Sequence, residues 1–480
     1  MRLFPILFFL VFLSVSTRAQ KLPPAVLSPA QMQEDLDTLR SVLFHTPTDP
    51  FSFISRAHLE AWFQAIEDST REPRSPIWFY HQLNPLVVSL KDIHTRISLP
   101  WSANPYARSG GYYIPLKIRY LNQRVYVTGD AGNHVPTGSE LIAINGIPAI
   151  HIVRKLLSEN YSDGDISGTR VRLMEEGFAS NLPLFFPPDS INALQIRPPE
   201  SNKDSLVFYP GVRKTAKPRK TNPGFGDLFE LRLIPEDQTA VLRIGSFVKG
   251  NELRYRTFLR KSFRGIRKAE VSHLIIDVRG NKGGYIIRGP ALLAYIAEKP
   301  FFYAYTSIVR ASPLLKKNIR KDMLMPSVVI PVFKKWVGKE LVSGWKQPSG
   351  NLDTLVWEAT RPKPERLRFS GETFLLTDEL SISNSCMLHH AFAYNDMGKT
   401  IGATCGCIES GTFGNSVAFT LPHSQIRGKV STVRLITRPE DLSIPATGLA
   451  PDIVVEDTPE SLFSGKDTQL DFTLQLIRSQ

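Results

Sequence analysis

A short apolar strand that runs directly into a glycine-rich turn constrains the fold more than any other feature of the sequence. Residues 274–278 read Leu-Ile-Ile-Asp-Val, and Gly280, Gly283 and Gly284 follow at once. A continuous apolar run of this length is typical of a strand buried inside a sheet. Glycines after it let backbone N–H groups point into open space, as an oxyanion hole requires. The spacing fits neither the dinucleotide-binding nor the phosphate-loop pattern, which argues against a nucleotide site.

Strands and helices alternate from about residue 227 to the end of the chain. We predict strands at 239–244, 273–278 and 372–377, and helices at 255–269, 289–299 and 383–396. Parallel strands need crossover connections, which are usually helices. This order therefore predicts an α/β domain with a largely parallel sheet over residues 227–480.

The preceding residues divide into three further segments. Residues 20–105 are predicted to form a helical domain, with a capped start at Ser28-Pro29, a second helix from about His58 to Ile66 and a third from Ile77 to Leu90. Residues 106–200 are predicted to be rich in β-strands, and residues 201–226, which are polar, basic and rich in Pro, to be a linker.

The β-rich segment contains a strand that ends in an Asn-Gly turn. The run from Gly138 to Pro148 places Asn145-Gly146 at a position that favours a tight hairpin. This run resembles the strand and turn of PDZ domains, although an unrelated hairpin would show the same turn. PDZ domains capture extended peptide ends by strand addition, so the resemblance implies a peptide-binding segment.

The first residues have the pattern of a secretory signal. A positive start at Met1-Arg2 precedes an apolar run from Leu3 to Val15, and Thr17-Arg18-Ala19 offers small residues where a signal peptidase cleaves. We expect residues 1–19 to be removed, and the run is too short for a stable membrane span. The mature chain is therefore expected to be periplasmic or secreted, without a stable membrane span.

The formal charge of +13 raises the question of nucleic-acid binding. The positive residues are scattered, and the densest stretch, residues 213–220, contains Pro and is typical of an exposed loop. We therefore expect no nucleic-acid partner.

Three cysteines, Cys386, Cys405 and Cys407, lie close together in the last third of the sequence. An odd number cannot form a complete disulfide framework. A disulfide from Cys386 to one of the other two and three packed thiols both remain open. His389 and His390 are near enough to share a metal with Cys386, but no standard zinc pattern is complete, so no metal is expected.

Two further segments carry side chains that could take part in catalysis. The predicted strand at 372–377 leads through a turn to a helix beginning near Ser383, and a serine at a helix N-terminus can expose its hydroxyl. Such a serine is most often a simple N-cap. His94 lies at the end of the helical segment, where a lone histidine is usually structural.

Together these segments resemble the C-terminal processing (tail-specific) and tricorn-core serine peptidases. The similarity lies in a strand followed by Asp-x-Arg-x-Asn-x-Gly-Gly, in a Ser-x-Ser-x-Ser turn and in a closing Gly-x-x-Pro-Asp strand. It also lies in a Leu-x-Asp-Gly-His-Thr string, in which this chain has Ile93 in place of Gly. Here these are Asp277 to Gly284, Ser381 to Ser385, Leu90 to Thr95 and Gly448 to Asp452.

The resemblance implies a crotonase/ClpP-like catalytic fold and a set of site residues. Ser383 matches the nucleophile, and His94 matches the general base of the tricorn-like branch. The N–H groups of Gly283 or Gly284 and of Asn384 would hold the oxyanion.

The sequence departs from the family at several positions. Asn415 ends the Thr-Phe-Gly string in which tail-specific members carry a catalytic lysine, and Ala403 replaces an expected glutamate. The acid that orients the base is therefore unassigned, with Glu409 and Asp441 as candidates.

Three hypotheses follow. The first is an exported serine endopeptidase that cleaves polypeptides without a cofactor and recognises extended or C-terminal segments. The second is a catalytically weakened homologue that binds peptides or proteins. The third, an acyl-transfer enzyme on the related crotonase-like fold, lacks any sign of a coenzyme A site. The sequence does not determine the oligomeric state.

Overall fold

The structure is a computed structural model that describes residues 24–99, 110–213, 223–323, 338–438 and 446–480. The predicted signal sequence, the candidate acid Asp441 and most of the basic stretch 213–220 lie outside these residues. Within the described ranges, no helix is both long and apolar enough to cross a membrane.

Three helices form the first part of the chain, as the sequence predicted: α1 (Pro29–His45), α2 (Arg56–Ser69) and α3 (Pro76–Val88). The side chains of Ser28, Ser55 and Ser75 cap them by accepting a hydrogen bond from a backbone N–H in the first turn. A short strand, β1 (Arg96–Ser98), follows the third helix and pairs with residues 427–429 near the other end of the chain.

The second part is an antiparallel sheet with two helices. Its strands are β3 (Leu116–Leu121), β4 (Arg124–Asp130), β5 (Glu140–Ile144), β6 (Ile147–Pro148), β7 (Ile191–Arg197) and β8 (Ser205–Pro210), and its helices are α4 (Ala149–Ser158) and α5 (Ser167–Phe185). Both Asn145 and Gly146 have positive φ, as expected for the predicted tight turn between β5 and β6. This part has a hydrophobic core of its own.

The segment predicted as a linker is partly ordered into strands. Strand β8 pairs with β7, and β9 (Val212–Arg213) pairs with β2 (Tyr112–Tyr113). Side chains alternate along β8, with Leu206 and Phe208 facing outward and Tyr209 facing inward. Tyr209 is 1 % exposed and packs in the core of this sheet, a contact that the polar composition of the segment does not predict.

A six-stranded sheet forms the centre of the third part, in the order β10-β11-β12-β15-β16-β21. Its strands are β10 (Phe229–Ile234), β11 (Thr239–Ile244), β12 (His273–Asp277), β15 (Glu372–Thr377), β16 (Lys399–Gly402) and β21 (Ile453–Val454). All neighbouring pairs are parallel except β10 with β11. The predicted α/β domain with a largely parallel sheet is confirmed.

Helices cover both faces of this sheet. They are α6 (Glu252–Lys268), α7 (Arg288–Leu293), α10 (Asn384–Tyr394) and α12 (Thr468–Arg478). A further short helix, α11 (Pro459–Phe463), places Phe463 against Tyr126 of β4. Helix α7 is shorter than the predicted 289–299. The carbonyls of Ala294 and Tyr295 accept hydrogen bonds from the backbone N–H groups of Lys363 and Phe369 instead of continuing the helix.

Two smaller antiparallel sheets and two further helices complete the described chain. One sheet contains β13 (Thr306–Arg310), β14 (Leu352–Val356), β17 (Gly411–Gly414) and β20 (Val433–Ile436). The other sheet contains β1, β18 (Val417–Thr420) and β19 (Arg427–Val430). The two helices are α8 (Pro313–Met323) and α9 (Lys339–Lys346). The first three helices and the central sheet share one hydrophobic core. The helical segment that carries His94 is thereby packed onto the domain that carries Ser383.

Candidate active site

Ser383 lies in a strained turn between strand β15 and helix α10. Its φ of 56° and ψ of −122° place a non-glycine residue in a backbone region that costs about 1–3 kcal/mol. The side chain makes no capping hydrogen bond. The sequence allowed Ser383 to be a simple N-cap, and the structure does not support that interpretation. Strained strand–turn–helix connections of this kind expose a nucleophile at the edge of a sheet.

Asn281 holds this turn against the glycine-rich turn that follows β12. Its side-chain Nδ2 donates to the carbonyl of Ile244 at 2.8 Å, and its own carbonyl accepts from the N–H of Ile382 at 3.1 Å and from the Ser385 hydroxyl. Asn281 is fully buried. The turn that carries Ser383 is therefore fixed by bonds to neighbouring residues.

The glycine-rich turn passes directly beside Ser383. A Cβ atom on Gly283 would lie 2.8 Å from Ser383 Cβ, so no larger residue fits there. The N–H of Gly283 donates to Asn281 Oδ1 at 3.0 Å. The N–H groups of Gly284 and Asn384 have no hydrogen-bond partner among the described residues. Of the donors predicted from the sequence, the N–H groups of Gly284 and Asn384 are thus free to bind an oxyanion. Gly283 instead lets the glycine-rich turn pass close to Ser383.

His94 lies in the turn between α3 and β1, and its backbone is fixed on both sides. The Ser416 hydroxyl donates to its carbonyl at 3.0 Å, and its N–H donates to Asp92 Oδ1 at 2.8 Å. Burial lowers the pKa of His94, Asp92 raises it, and Arg96 and Lys429 lower it further. The net pKa lies below the usual value of 6.5, so the ring is neutral at neutral pH and can accept a proton.

The structure brings the turns of Ser383 and His94 together. The residues directly before them, Ile382 and Ile93, belong to one buried hydrophobic cluster with Leu380. Packing over a long sequence separation therefore juxtaposes the predicted nucleophile turn and the predicted base turn.

Two carboxyl groups beside His94 were not proposed as site residues from the sequence. Asp92 Oδ1 lies 3.8 Å from His94 Nδ1, and Asp92 Oδ2 accepts from the hydroxyls of Thr95 and Ser431. His94 Nδ1 itself has no hydrogen-bond partner among the described residues. Asp92 lies two residues before His94 in the Leu-x-Asp-Gly-His-Thr string, and this spacing is the sequence feature that could have identified it as a candidate acid.

The second carboxyl group is Asp163, which is completely buried. It accepts hydrogen bonds from the N–H of Ile93 at 2.8 Å and from the Thr412 hydroxyl at 3.1 Å. Burial, together with the charge of Asp92, raises the pKa of Asp163 well above its usual range. The raised pKa reflects the cost of a second negative charge beside Asp92 in a buried site.

The acids considered from the sequence lie elsewhere. Glu409 forms an ion pair with Arg438 at 3.3 Å, and no contact with His94 is found within the described ranges. Ala403, at the position of the expected glutamate, is buried beside Thr377. Asp441 lies outside the described residues.

A groove of about 810 Å³ is lined by all three residues of β1, the strand that follows His94. Arg96 and Lys429 line it and are directly opposed on the paired strands β1 and β19. Like charges in this position destabilise a sheet. Within the described chain neither side chain forms an ion pair, so the groove presents two uncompensated positive charges near the base.

The three cysteine sulfur atoms form a buried cluster behind the Ser383 turn. The Cα of Cys386 lies 5.6 Å from that of Cys405 and 6.1 Å from that of Cys407, and both separations suit a disulfide. One sulfur can join only one of the two, so the geometry leaves the pairing open. Cys407 Sγ also lies 3.8 Å from the carbonyl oxygen of Ser383.

Part of the chain matches a known protein family. Residues 238–455 match the model described as Peptidase family S41. The structure of mature CPAF superposes with a TM-score of 0.66 at 14 % identity, covering 94 % of this chain and 98 % of that chain. Mature CPAF complexed with lactacystin gives 0.67 at 15 % identity, with coverages of 94 % and 99 %. At this identity the likeness shows the fold. No curated protein sequence matches the chain.

We predict that the pKa of His94 lies below 6.5 and falls further in Asp92→Asn, because the lost negative charge favoured the imidazolium. Titration of the His94 ring proton by NMR, assigned with His94→Gln, measures both values. Glu409→Gln is the control, since Glu409 pairs with Arg438, contacts His94 nowhere among the described residues, and should leave the pKa nearly unchanged. A rise in Asp92→Asn would show that Asp92 does not act on the ring.

Proposed function

We propose that the chain is an exported serine endopeptidase with Ser383 as nucleophile and His94 as general base, starting from the match of residues 238–455 to the model of Peptidase family S41. The observation that carries the proposal is the strained, uncapped Ser383 beside the free N–H groups of Gly284 and Asn384. A strained backbone of this kind persists only when the surrounding structure holds it in place.

In the proposed reaction, the Ser383 hydroxyl attacks the carbonyl carbon of the peptide while His94 takes its proton. The carbonyl oxygen gains negative charge and binds the N–H groups of Gly284 and Asn384. His94 then gives the proton to the leaving amine, and an acyl-enzyme remains on Ser383. Water, activated by the same histidine, hydrolyses the acyl-enzyme.

Asp92 acts in this scheme as a positioning residue. It accepts hydrogen bonds from the backbone of His94 and from two neighbouring hydroxyls, and its charge favours the imidazolium that forms during attack. The separation of 3.8 Å from Nδ1 exceeds a hydrogen bond, and such contacts commonly shorten when substrate binds.

We expect Ser383→Ala and His94→Ala each to reduce cleavage of an unstructured protein by several orders of magnitude, and the double variant to lose little more. Groups that act as one unit lose activity non-additively. A fluorophosphonate probe should label the unmodified chain and not Ser383→Ala.

Two results would count against the peptidase mechanism. Unchanged cleavage by Ser383→Ala would refute the nucleophile. An unlabelled, inactive chain that still binds peptides would favour the alternative of a weakened peptide-binding homologue, which the alanine at position 403 makes worth testing.

We propose that the groove beside β1 binds an extended substrate segment with acidic residues. The support is the unpaired charges of Arg96 and Lys429, which lie on opposed strands in a groove close to His94. The antiparallel sheet of residues 116–210, whose turn resembles that of PDZ domains, would present peptide ends to the same domain.

We predict that matched peptides carrying Glu in place of Gln near the cleaved bond have a higher kcat/KM, and that Lys429→Met reduces this preference about fivefold, as ~1 kcal/mol of charge interaction implies. The ratio of the two substrates is the measurement, because Lys429 also affects the pKa of His94. Lys399→Met is the control, since Lys399 pairs with Glu372 at the central sheet. A preference unaffected by Lys429→Met would contradict this role of the groove.

We also propose that the chain is exported to the periplasm or secreted. The support is the apolar run from Leu3 to Val15 between a positive start and small residues at 17–19. N-terminal sequencing of the exported protein should find Gln20 as the first residue, and a mature protein that still begins at Met1 would contradict the proposal.

A further inference from the structure

The side chain of Asn384 connects the two backbone segments that supply the free N–H groups. Its Nδ2 donates at 2.9 Å to the carbonyl of Tyr285, the residue directly after Gly284. Its Oδ1 accepts from the Tyr303 hydroxyl at 2.6 Å, and the same hydroxyl lies 2.8 Å from the carbonyl oxygen of Asn384. Asn384 and Tyr303 are each 2 % exposed. One buried carboxamide therefore joins the glycine-rich turn to the start of the nucleophile helix.

The orientation of this carboxamide is determined by its two partners. A backbone carbonyl can only accept a hydrogen bond, so the end of Asn384 that faces Tyr285 is Nδ2 and the other end is Oδ1. A buried carbonyl oxygen needs a donor, and the Tyr303 hydroxyl supplies it. Burial raises the pKa of Tyr303 well above its usual value, so the hydroxyl keeps its proton and remains a donor at neutral pH.

Helix α7 leaves space for the Tyr303 hydroxyl at one position. Gly289 on this helix is buried, and a Cβ atom there would lie 1.9 Å from Tyr303 Oη. The hydroxyl can therefore reach Asn384 only because residue 289 has no side chain. Among the described residues, Asn384 is the only hydrogen-bond partner of this hydroxyl. Packing alone would be satisfied by Phe at position 303, so the polar atom is explained by Asn384.

The two turns are connected on both sides of Gly284. On the N-terminal side, the carbonyl of Asn281 accepts from the N–H of Ile382 at 3.1 Å. On the C-terminal side, the connection is the bond from the Asn384 carboxamide to the carbonyl of Tyr285. The separation between the N–H of Gly284 and the N–H of Asn384 is therefore fixed by both connections. An oxyanion hole requires this, because its donors stabilise the transition state only when they are already in place.

We propose that Tyr303 is a positioning residue that sets the geometry of the oxyanion hole through the carboxamide of Asn384. This inference rests on the proposed peptidase function. The backbone N–H groups of Gly284 and Asn384 bind the oxyanion, the carboxamide fixes their separation, and the Tyr303 hydroxyl orients the carboxamide. Tyr303 does not touch the substrate and exchanges no proton during the reaction.

The first test compares Tyr303→Phe and Asn384→Ala, which both retain the backbone donors. We expect each to lower kcat about 10- to 100-fold, because a small displacement of a catalytic group has an effect of this size. KM should stay within about twofold, since the affected bonds form only in the transition state. The double variant should lose little more than either single variant, because both changes act through one carboxamide.

Tyr209→Phe is the matched control for the loss of a buried tyrosine hydroxyl. Tyr209 is 1 % exposed, and its hydroxyl donates to Asp130 at the separate core of the antiparallel sheet. This variant should lower Tm and leave kcat unchanged. An equal loss of kcat in Tyr209→Phe, or unchanged kcat in both Tyr303→Phe and Asn384→Ala, would overturn the proposal. Asn384→Ala keeps the test decisive if Tyr303→Phe does not fold.

A second measurement is independent of peptidase activity. The sequence contains two Gly-Gly pairs, Gly110-Gly111 and Gly283-Gly284. In a chain labelled with glycine that carries ¹³C at the carbonyl and ¹⁵N, an amide NMR experiment that selects such pairs observes only Gly111 and Gly284, and Gly111→Ala assigns the two signals. The Gly284 signal should shift in Tyr303→Phe and in Asn384→Ala and stay in place in Tyr209→Phe.

The two measurements separate failure of this inference from failure of the proposed function. An unmodified chain that neither cleaves protein nor reacts with a fluorophosphonate probe would refute the peptidase function, whatever the NMR result. A Gly284 signal that is unchanged in both Tyr303→Phe and Asn384→Ala would refute the positioning role, even in an active peptidase. A shifted Gly284 signal together with lowered kcat supports it.

Discussion

The candidate site depends on the buried side chain and backbone of Asn281. Through one residue, the end of β11, the glycine-rich turn after β12 and the turn after β15 are hydrogen-bonded to one another. A left-handed backbone at Ser383 is unfavourable by itself, and these bonds offset its cost because each satisfies a group that would otherwise be buried without a partner. The strain at Ser383 is thus supported by three parallel strands. An apolar residue of similar size at position 281, in the Asp-x-Arg-x-Asn-x-Gly-Gly string, would make neither of the side-chain bonds of Asn281.

The other charged residues of that string anchor the end of the chain. Arg279 forms paired hydrogen bonds with Asp277 and Asp467, and Asp467 in turn caps helix α12. Arg243, opposite Asp277 on the neighbouring strand, joins the same group. Planar guanidinium groups suit two carboxylates at once. The string therefore serves two purposes, since its asparagine and glycines shape the site and its charges attach a C-terminal helix to the central sheet.

The position of His94 has a different origin. It lies on a turn whose strand, β1, pairs with β19 from the far end of the sequence, and whose backbone is bonded to Asp163 and Ser416. The first three helices share the core of the central sheet, and this packing brings the turn of His94 to the domain that carries Ser383. The sequence divides into an N-terminal helical segment and an α/β domain. In the structure the two share one hydrophobic core, so both are needed to hold Ser383 and His94 in place.

The sequence by itself determined the α/β order, the parallel sheet, the tight Asn-Gly turn and the two turns carrying Ser383 and His94. These follow from local patterns: apolar runs, glycines, capping serines and motif spacing. Tertiary structure alone decided that Asp163 lies beside Asp92 and His94, because Asp163 comes from a distant segment of the chain. It likewise decided that the N–H of Gly284 is free while that of Gly283 is bonded, and that three cysteines and His389 share one buried cluster. Such properties arise from contacts between segments far apart in the chain, and their distances, burial and competing bonds have no local signature in the sequence.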